Sequence, residues 1–145
     1  MAYIRKINVN VVQQHWDSYF RKILLLETTP GVVDHEFRAS NILKAICEDR
    51  LTVWALKEGD KIQAIFSTCI AGEGLSGSRS LLLYSIYGFG NFTKKAMQEI
   101  SDLLAEEARK MSCTSIILYT QLPSVMKAAA AMGCKTYFTM VKEIK

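Results

Sequence analysis

The N-terminal third of the chain shows the pattern of one short strand followed by two amphipathic helices. Apolar and polar residues alternate over residues 3–7, which predicts a first strand. Over residues 12–26 the apolar side chains recur every three or four positions, and this spacing predicts a helix with one buried face. Pro30 and Gly31 should end that region, because neither residue favours a continuing helix. A second helix is predicted from Asp34, which can cap its N-terminus, to Arg50.

A predicted hairpin follows the second helix. Residues 51–57 and 61–71 have strand patterns, and Glu58-Gly59-Asp60 between them is a turn sequence typical of antiparallel hairpins. Trp54 and Phe66 indicate that another layer covers this part of the sheet.

A glycine- and serine-rich stretch joins the hairpin to a third strand of this group. Residues 72–80 form a mobile loop in which residues 72–77 act as a lid, bind a partner or make only a long turn, since their composition allows each. Residues 80–87 are apolar on both faces, as expected of a central strand that is covered on both sides. Gly88-Phe89-Gly90 should end that strand, and it lacks the third glycine and acidic partner of a dinucleotide-binding motif.

The C-terminal half begins with the clearest helix pattern in the chain. An apolar stripe with charges opposite it predicts a helix over residues 93–111. Residues 114–120 then form a short apolar strand, which should lie parallel to the strand of residues 80–87 in a β-α-β unit. A helix over residues 122–132 and a last alternating strand over residues 135–144 complete one domain of residues 1–145.

Composition excludes several classes of protein. Half of the residues are hydrophobic, 22% are charged, and the formal charge of +4 is spread along the chain, so neither disorder nor nucleic-acid binding is indicated. No apolar run reaches the ~18 residues of a membrane helix. The four separated cysteines predict reduced core thiols in the cytoplasm, and the two histidines suit neither a metal site nor a hydrolase triad.

The predicted order β-α-α-β-β-β-α-β-α-β resembles the GCN5-related N-acetyltransferase fold over nearly the whole chain. Local likenesses are Glu107-Ala108-Arg109-Lys110-Met111-Ser112-Cys113 at a helix end and Ala128-Ala129-Ala130-Ala131-Met132-Gly133-Cys134-Lys135 before the last strand. The resemblance implies an α/β domain with a mixed central sheet of about six strands and about four helices. The chain is also similar to acetyltransferase-like proteins of bacteriophages.

The resemblance implies that acetyl-CoA lies between the fourth and fifth strands. The residues of the fourth strand that are expected to contact acetyl-CoA are Tyr84, Ser85 and Ile86. Its pyrophosphate is expected at the start of the next helix, at Thr93, Lys94 and Lys95, because a helix N-terminus offers unpaired N–H groups and a positive dipole.

The glycine-rich loop of the family is altered in this chain. The family pattern has Gln or Arg first and glycines later, but residues 92–97 carry Lys95 and Met97 at the glycine positions. Residues 85–90 contain two glycines without the leading Gln or Arg. The two lysines either contact a phosphate or are solvated on an exposed helical turn.

The catalytic groups are altered as well. In the family a tyrosine protonates the thiolate of CoA, and its position here is Ala129. Tyr119 and Tyr137 are the candidates to replace it, although both also suit ordinary half-buried aromatic positions. Glu73 is the acidic candidate for a general base near the fourth strand.

Two functions follow from this pattern. In the first, the chain binds acyl-CoA and transfers the acyl group to an amine. In the second, it is a catalytically inactive binding or assembly module, for example a bacteriophage accessory or virion protein, with a protein partner or further copies of itself. Neither hypothesis involves nucleic acid, a membrane or a metal.

Overall fold

The protein is built on one mixed sheet of five strands in the order β1-β2-β3-β4-β5. The architecture is taken from a computed structural model, and the residues described are 2–25, 35–73, 77–89, 93–120, 123–137, 140, 142 and 144. The strands are β1 (Ala2–Lys6), β2 (Leu51–Glu58), β3 (Lys61–Glu73), β4 (Ser78–Gly88) and β5 (Ser115–Leu118). Neighbouring strands from β1 to β4 are antiparallel, whereas β5 is parallel to β4. The predicted hairpin and the predicted parallel pair are both confirmed.

The helices described are α1 (Val9–Gln14), α2 (Arg21–Leu24), α3 (His35–Cys47), α4 (Lys94–Lys110) and α5 (Pro123–Ala131), and a π-helical turn, Trp16–Phe20, joins α1 to α2. The single helix predicted over residues 12–26 is therefore wrong. The Phe20 N–H donates to the carbonyl of His15 at 3.1 Å. This hydrogen bond joins residues five positions apart instead of four, which widens the helix. Periodicity cannot show this widening, because the extra residue leaves Trp16 and Phe20 on the buried face.

Each face of the sheet has its own core. On one face α1, α2 and α3 pack on β2 and β3, with Trp16, Leu24 and Ile46 buried among them. On the other face α4 packs on β3 and β4 through Ile100 and Leu104. The apolar stripe of α4 confirms the predicted amphipathic helix. Because a core lies on each face of the sheet, β4 is apolar on both sides.

The connection between β3 and β4 is shorter than predicted. Residues 72–80 were expected to be a loop, but Gly72 pairs with Arg79 and Glu73 pairs with Ser78. Both strands therefore run into the glycine-rich stretch, of which residues 74–76 lie outside the described part. Gly77 follows with φ +70°, a conformation that suits glycine in a tight turn.

Three further predictions concern the last strand, the cysteines and membrane-spanning segments. The strand predicted over residues 135–144 is not formed at the described positions 135–137, 140, 142 and 144. Its other positions lie outside the described residues, and so does Asp34, the predicted cap of the second helix. Cys47 and Cys134 are exposed, so the prediction of four core thiols is wrong for these two, although all four cysteines are free. Within the described part of the chain no helix is long and apolar enough to cross a membrane.

Candidate functional site

Strands β4 and β5 pair over only part of their length. The pairs run from Ser80 with Ser115 to Leu83 with Leu118, after which β4 continues to Gly88 without β5 beside it. A strand edge without a partner presents a row of backbone N–H and C=O groups. The two strands therefore separate at the carboxyl end of β4, and the space between them is the candidate cleft.

The opposite end of this strand pair is held closed by polar contacts. The hydroxyls of Ser80 and Ser115 lie 2.6 Å apart, and the Thr114 N–H donates to the Arg79 carbonyl at 2.9 Å. Arg79 Nε also donates to the carbonyl of Met111 at 2.9 Å. These contacts fix β5 at its start, so that the strands separate only after Leu83.

A β-bulge lies where the strands separate. Ser67 of β3 pairs with Ser85, whereas the next residue, Thr68, pairs with Leu83, so Tyr84 is the extra residue on β4. A bulge interrupts the ladder and redirects the neighbouring backbone and side chains. The three predicted cofactor residues of β4, Tyr84, Ser85 and Ile86, thus lie at the bulge and along the cleft.

The side chains at the bulge point to different surroundings. The Ser85 hydroxyl is buried against the Ser67 hydroxyl at 2.5 Å, whereas Ile86 packs with the α4 core. Tyr84 faces α3, where Arg38 Nε donates to its hydroxyl oxygen at 3.0 Å and the guanidinium lies 5.4 Å from its ring centre. Arg38 is only 6% exposed.

Arg38 is the residue of this site that the sequence did not indicate. It lies among the apolar positions of α3, next to Ala39 and one turn before Ile42, both of which are buried. An arginine inside an apolar helical stripe is the signal that could have found it, since arginine is rarely buried without a specific contact.

The N-terminus of α4 lies at the same end of the β-α-β unit as the cleft, because α4 follows the carboxyl end of β4. The Thr93 hydroxyl accepts from the Ala96 N–H at 3.1 Å, which makes Thr93 the N-cap. Lys94 and Lys95 occupy the exposed first turn, and their N–H groups have no acceptor within the helix. Residues 90–92 lie outside the described part.

The three predicted catalytic residues are not brought together. Tyr119 directly follows Leu118, the last residue paired with β4, and it is 41% exposed at the mouth of the cleft. Tyr137 is 84% exposed, beyond α5. Glu73 is at the far end of β3 opposite Ser78, about 20 Å along β4 from the bulge at the usual rise of a strand.

A cavity of about 790 Å³ is lined by α3, by strands of the sheet and by the C-terminal end of α4, and Tyr84 is one of its lining residues. Its volume is within the range of small-molecule sites. Its walls are Phe37, Arg38, Asn41, Ile42, Ala45, Asp49, Arg50, Leu51, Thr52, Thr68, Cys69, Ile70, Leu81, Tyr84, Glu107 and Met111. Burial raises the pKa of the Cys69 thiol, which therefore stays protonated near neutral pH.

An aromatic cluster lies at the carboxyl end of β4. The Tyr19 ring stacks on Phe89 with 6.4 Å between centres, and Tyr87 meets Phe89 edge to face at 4.8 Å. Burial, and secondarily the neighbouring Tyr87, raises the pKa of Tyr19 above its ordinary value. The cluster attaches the end of β4 to the helices on that face of the sheet.

Solved structures share this architecture over nearly the whole chain. A predicted acetyltransferase with acetyl-CoA from Clostridium acetobutylicum has a TM-score of 0.73 at 14% identity, over 99% of this chain and 96% of that one. A GCN5-related N-acetyltransferase from Ralstonia eutropha has a TM-score of 0.70 at 14% identity, over 99% of both chains. The chain has the GCN5-related N-acetyltransferase fold.

The same acetyltransferase fold is present in the aminoglycoside N-acetyltransferase AAC(6')-Iy in complex with CoA, with a TM-score of 0.66 at 21% identity over 100% of this chain and 95% of that one. At such identities the likeness establishes the acetyltransferase fold and not an activity. No protein-family model and no curated protein matches the sequence. The predicted α/β class and its acetyltransferase-like sheet are confirmed.

Proposed function

We propose that the chain binds an acyl-CoA, with acetyl-CoA as the reference ligand, and transfers its acyl group to an amine. The observation that carries this proposal is the bulged, unpaired edge of β4 beyond Leu83, with the capped N-terminus of α4 at the same end. Acetyl-CoA or CoA is present in solved structures of the same fold.

The cleft offers two kinds of contact to an acyl-CoA. Backbone groups of β4 around Tyr84, Ser85 and Ile86 can pair with the amides of the pantetheine chain, as a strand edge pairs with an added strand. The start of α4 can hold the pyrophosphate, since Thr93 orders the first turn and Lys94 and Lys95 add positive charge there.

Acetyl-CoA is a substrate of the proposed reaction and supplies the thioester. The amine nitrogen forms a bond to the acyl carbon, the carbon–sulfur bond breaks, and the sulfur leaves as a thiolate that takes up a proton. Tyr119 is proposed as the donor of that proton, because it lies where β5 leaves β4. β4 contains no acidic residue, so the amine loses its proton to water.

Calorimetric titration with acetyl-CoA tests the proposal. We expect a dissociation constant in the micromolar range, and no heat at millimolar acetyl-CoA would overturn it. The double variant Lys94→Gln, Lys95→Gln should bind about tenfold more weakly, because two cations near the pyrophosphate are lost.

A matched control removes the same charge from the other end of the same helix. Arg109→Gln with Lys110→Gln changes the net charge equally but lies about 20 Å from Lys95. We expect its affinity for acetyl-CoA to equal that of the unchanged chain. If both double variants weaken binding equally, the start of α4 is not the phosphate site.

The second candidate function is an inactive binding module. Two observations favour it: Ala129 stands at the position of the family's tyrosine, and Tyr137, Met140 and Ile144 are 84%, 96% and 87% exposed. Exposed apolar side chains that form one contiguous patch mark a surface that contacts a protein. Failure to bind acetyl-CoA, together with self-association in light scattering, would establish this module in place of the transferase.

A further inference from the structure

We propose that the acyl group of the donor is a hydrocarbon chain longer than acetyl, such as octanoyl, and that the cavity lined by Tyr84 receives this chain. The transfer of the acyl group rests on the proposed function, because the chain is then attached to CoA in the cleft. The binding of an apolar chain by the cavity does not rest on it.

The cavity begins at the residue beside which the thioester is proposed to lie. Tyr84 is the bulge residue of β4 and also lines the cavity. Leu81 lines it as well, three residues earlier on β4 and about 10 Å away at the usual rise of a strand. A donor whose pyrophosphate is at the start of α4 has its acyl group at the far end of the pantetheine. The cavity therefore continues in the direction in which such a donor already runs.

The size of the cavity is far greater than an acetyl group requires. Its volume of about 790 Å³ suits a whole small-molecule ligand. The pairs between β2 and β3 end at Leu51 with Cys69, and at this end of the sheet Glu107 and Met111 also line the cavity. The space thus extends from the bulge to the C-terminal end of α4, which gives room for a chain of several carbons.

The buried cation of the cavity does not need an ionic ligand. Arg38 Nε donates to the Tyr84 hydroxyl at 3.0 Å, and its Nη1 donates to the Leu25 carbonyl at 3.3 Å. No buried side-chain nitrogen or oxygen of the described residues lacks a hydrogen-bond partner. An apolar ligand leaves these hydrogen bonds in place, whereas an ionic ligand would compete with them.

The other charged side chains of the cavity are paired with residues outside it. The pairs are Asp49 with Lys6 at 3.5 Å, Arg50 with Glu48 at 2.9 Å, and Glu107 with Lys110 at 3.5 Å. Both signs of charge are present, so the wall favours neither an anion nor a cation.

Most of the remaining wall is apolar. The side chains concerned are Phe37, Ile42, Ala45, Leu51, Ile70 and Leu81. The Cys69 thiol adds an uncharged group, because burial raises its pKa. Each methylene that enters such a space removes further apolar area from water, so affinity should rise with the length of the chain.

Calorimetric titration with acetyl-CoA, butanoyl-CoA and octanoyl-CoA tests the inference, because the three ligands differ only in the acyl chain. Octanoyl-CoA should bind at least about tenfold more tightly than acetyl-CoA, with butanoyl-CoA between them. Equal affinities, or a loss of affinity with chain length, would overturn the inference.

Variants assign the gain to the cavity. Ala45→Phe fills the cavity from α3 and should remove most of the advantage of octanoyl-CoA, while the affinity for acetyl-CoA stays the same. Asn41→Phe lies one turn earlier at an exposed position that also lines the cavity, and it serves if Ala45→Phe does not fold. An unchanged advantage in the folded cavity variant would contradict the proposal.

Ala105→Phe is the matched control. Ala105 is half-buried on a helix, as Ala45 is, but it does not line the cavity. The full advantage of octanoyl-CoA should remain in this variant. If Ala105→Phe and Ala45→Phe reduce the advantage equally, the chain does not bind in the cavity.

A titration without CoA separates this inference from the proposed function. Octanamide should bind the ligand-free protein more tightly than acetamide, and Ala45→Phe should remove this preference. If the preference is present while acetyl-CoA does not bind, the apolar site stands and the transferase proposal fails. If acetyl-CoA binds and octanoyl-CoA binds no more tightly, the inference about the cavity is wrong and the proposed function stands.

Discussion

Tyr119 and Tyr137 have the same side chain in different positions relative to the cleft. Tyr119 follows the last pair between β4 and β5, whereas Tyr137 lies beyond α5 and is almost fully exposed. A proton donor must come within hydrogen-bond reach of the leaving sulfur, so position decides between the two. Tyr119 is therefore the proposed donor, because the register of β5 places it next to the unpaired edge of β4.

The exchange Tyr119→Phe should lower kcat about 10²-fold while the affinity for acetyl-CoA stays the same, because it removes a proton donor and no binding group. Steady-state kinetics with the best acceptor, combined with calorimetry, checks both parts. Tyr137→Phe serves as the matched control and should leave kcat unchanged. A larger loss of kcat in Tyr137→Phe than in Tyr119→Phe would mean that Tyr137, and not Tyr119, is the proton donor.

The sequence predicted some residues of the site and missed others for a physical reason. Tyr84 and Ser85 were expected at the site because the resemblance to the acetyltransferase fold implies that the cofactor lies along the fourth strand, and the apolar pattern made that strand recognisable. Arg38 was not predicted: its place in the apolar stripe of α3 indicates a buried cation, but its contact with Tyr84 depends on how α3 lies over the bulge, which the local pattern does not show. Glu73 was placed near the cleft by sequence proximity, but the hairpin register puts it at the other end of β4.

Among the elements, α4 connects the core to the proposed anion site. Its apolar stripe fixes it against β3 and β4, and its capped start lies beside the cleft. The strength of that pattern made α4 and the β2–β3 hairpin predictable from the sequence. The π-helical turn that begins at Trp16 was not predictable, because the hydrogen bond from the Phe20 N–H to the His15 carbonyl does not change the spacing of the apolar residues.

Thr93→Ala should lower the free energy of unfolding by about 1 kcal/mol, because the Ala96 N–H loses its acceptor. Urea unfolding followed by circular dichroism measures the change. Thr93→Ser keeps the hydroxyl and should stay within a few tenths of a kcal/mol of the unchanged chain. Equal losses in the two variants would show that the methyl group, rather than the cap, stabilises this turn.

At the scale of the molecule, two cores share one sheet. Trp16 belongs to the core under α1, α2 and α3, and Trp54 stacks on Phe66 in the core under α4, with 6.2 Å between ring centres. Since β2 and β3 contribute side chains to both faces, loss of one core exposes the back of the other. We therefore propose that the chain unfolds as one domain.

Single-tryptophan variants test this cooperativity, because the chain has two tryptophans, one in each core. In Trp16→Phe the fluorescence of Trp54 should change over the same urea range as the circular dichroism of that variant. In Trp54→Phe the fluorescence of Trp16 should do likewise. A fluorescence transition that precedes the loss of helix and strand in either variant would mean that the two cores unfold separately.

The bulge at Tyr84 also bears on how this chain tolerates insertions and deletions. Ser85 already faces Ser67 and Leu83 already faces Thr68, so a chain lacking position 84 could pair β3 and β4 without interruption. Sheet formation therefore does not require Tyr84. Deleting one codon at this position would keep the ladder and remove the residue that joins Arg38 to the cleft. Position 84 is therefore a point where the proposed binding could be lost or regained while the sheet stays the same.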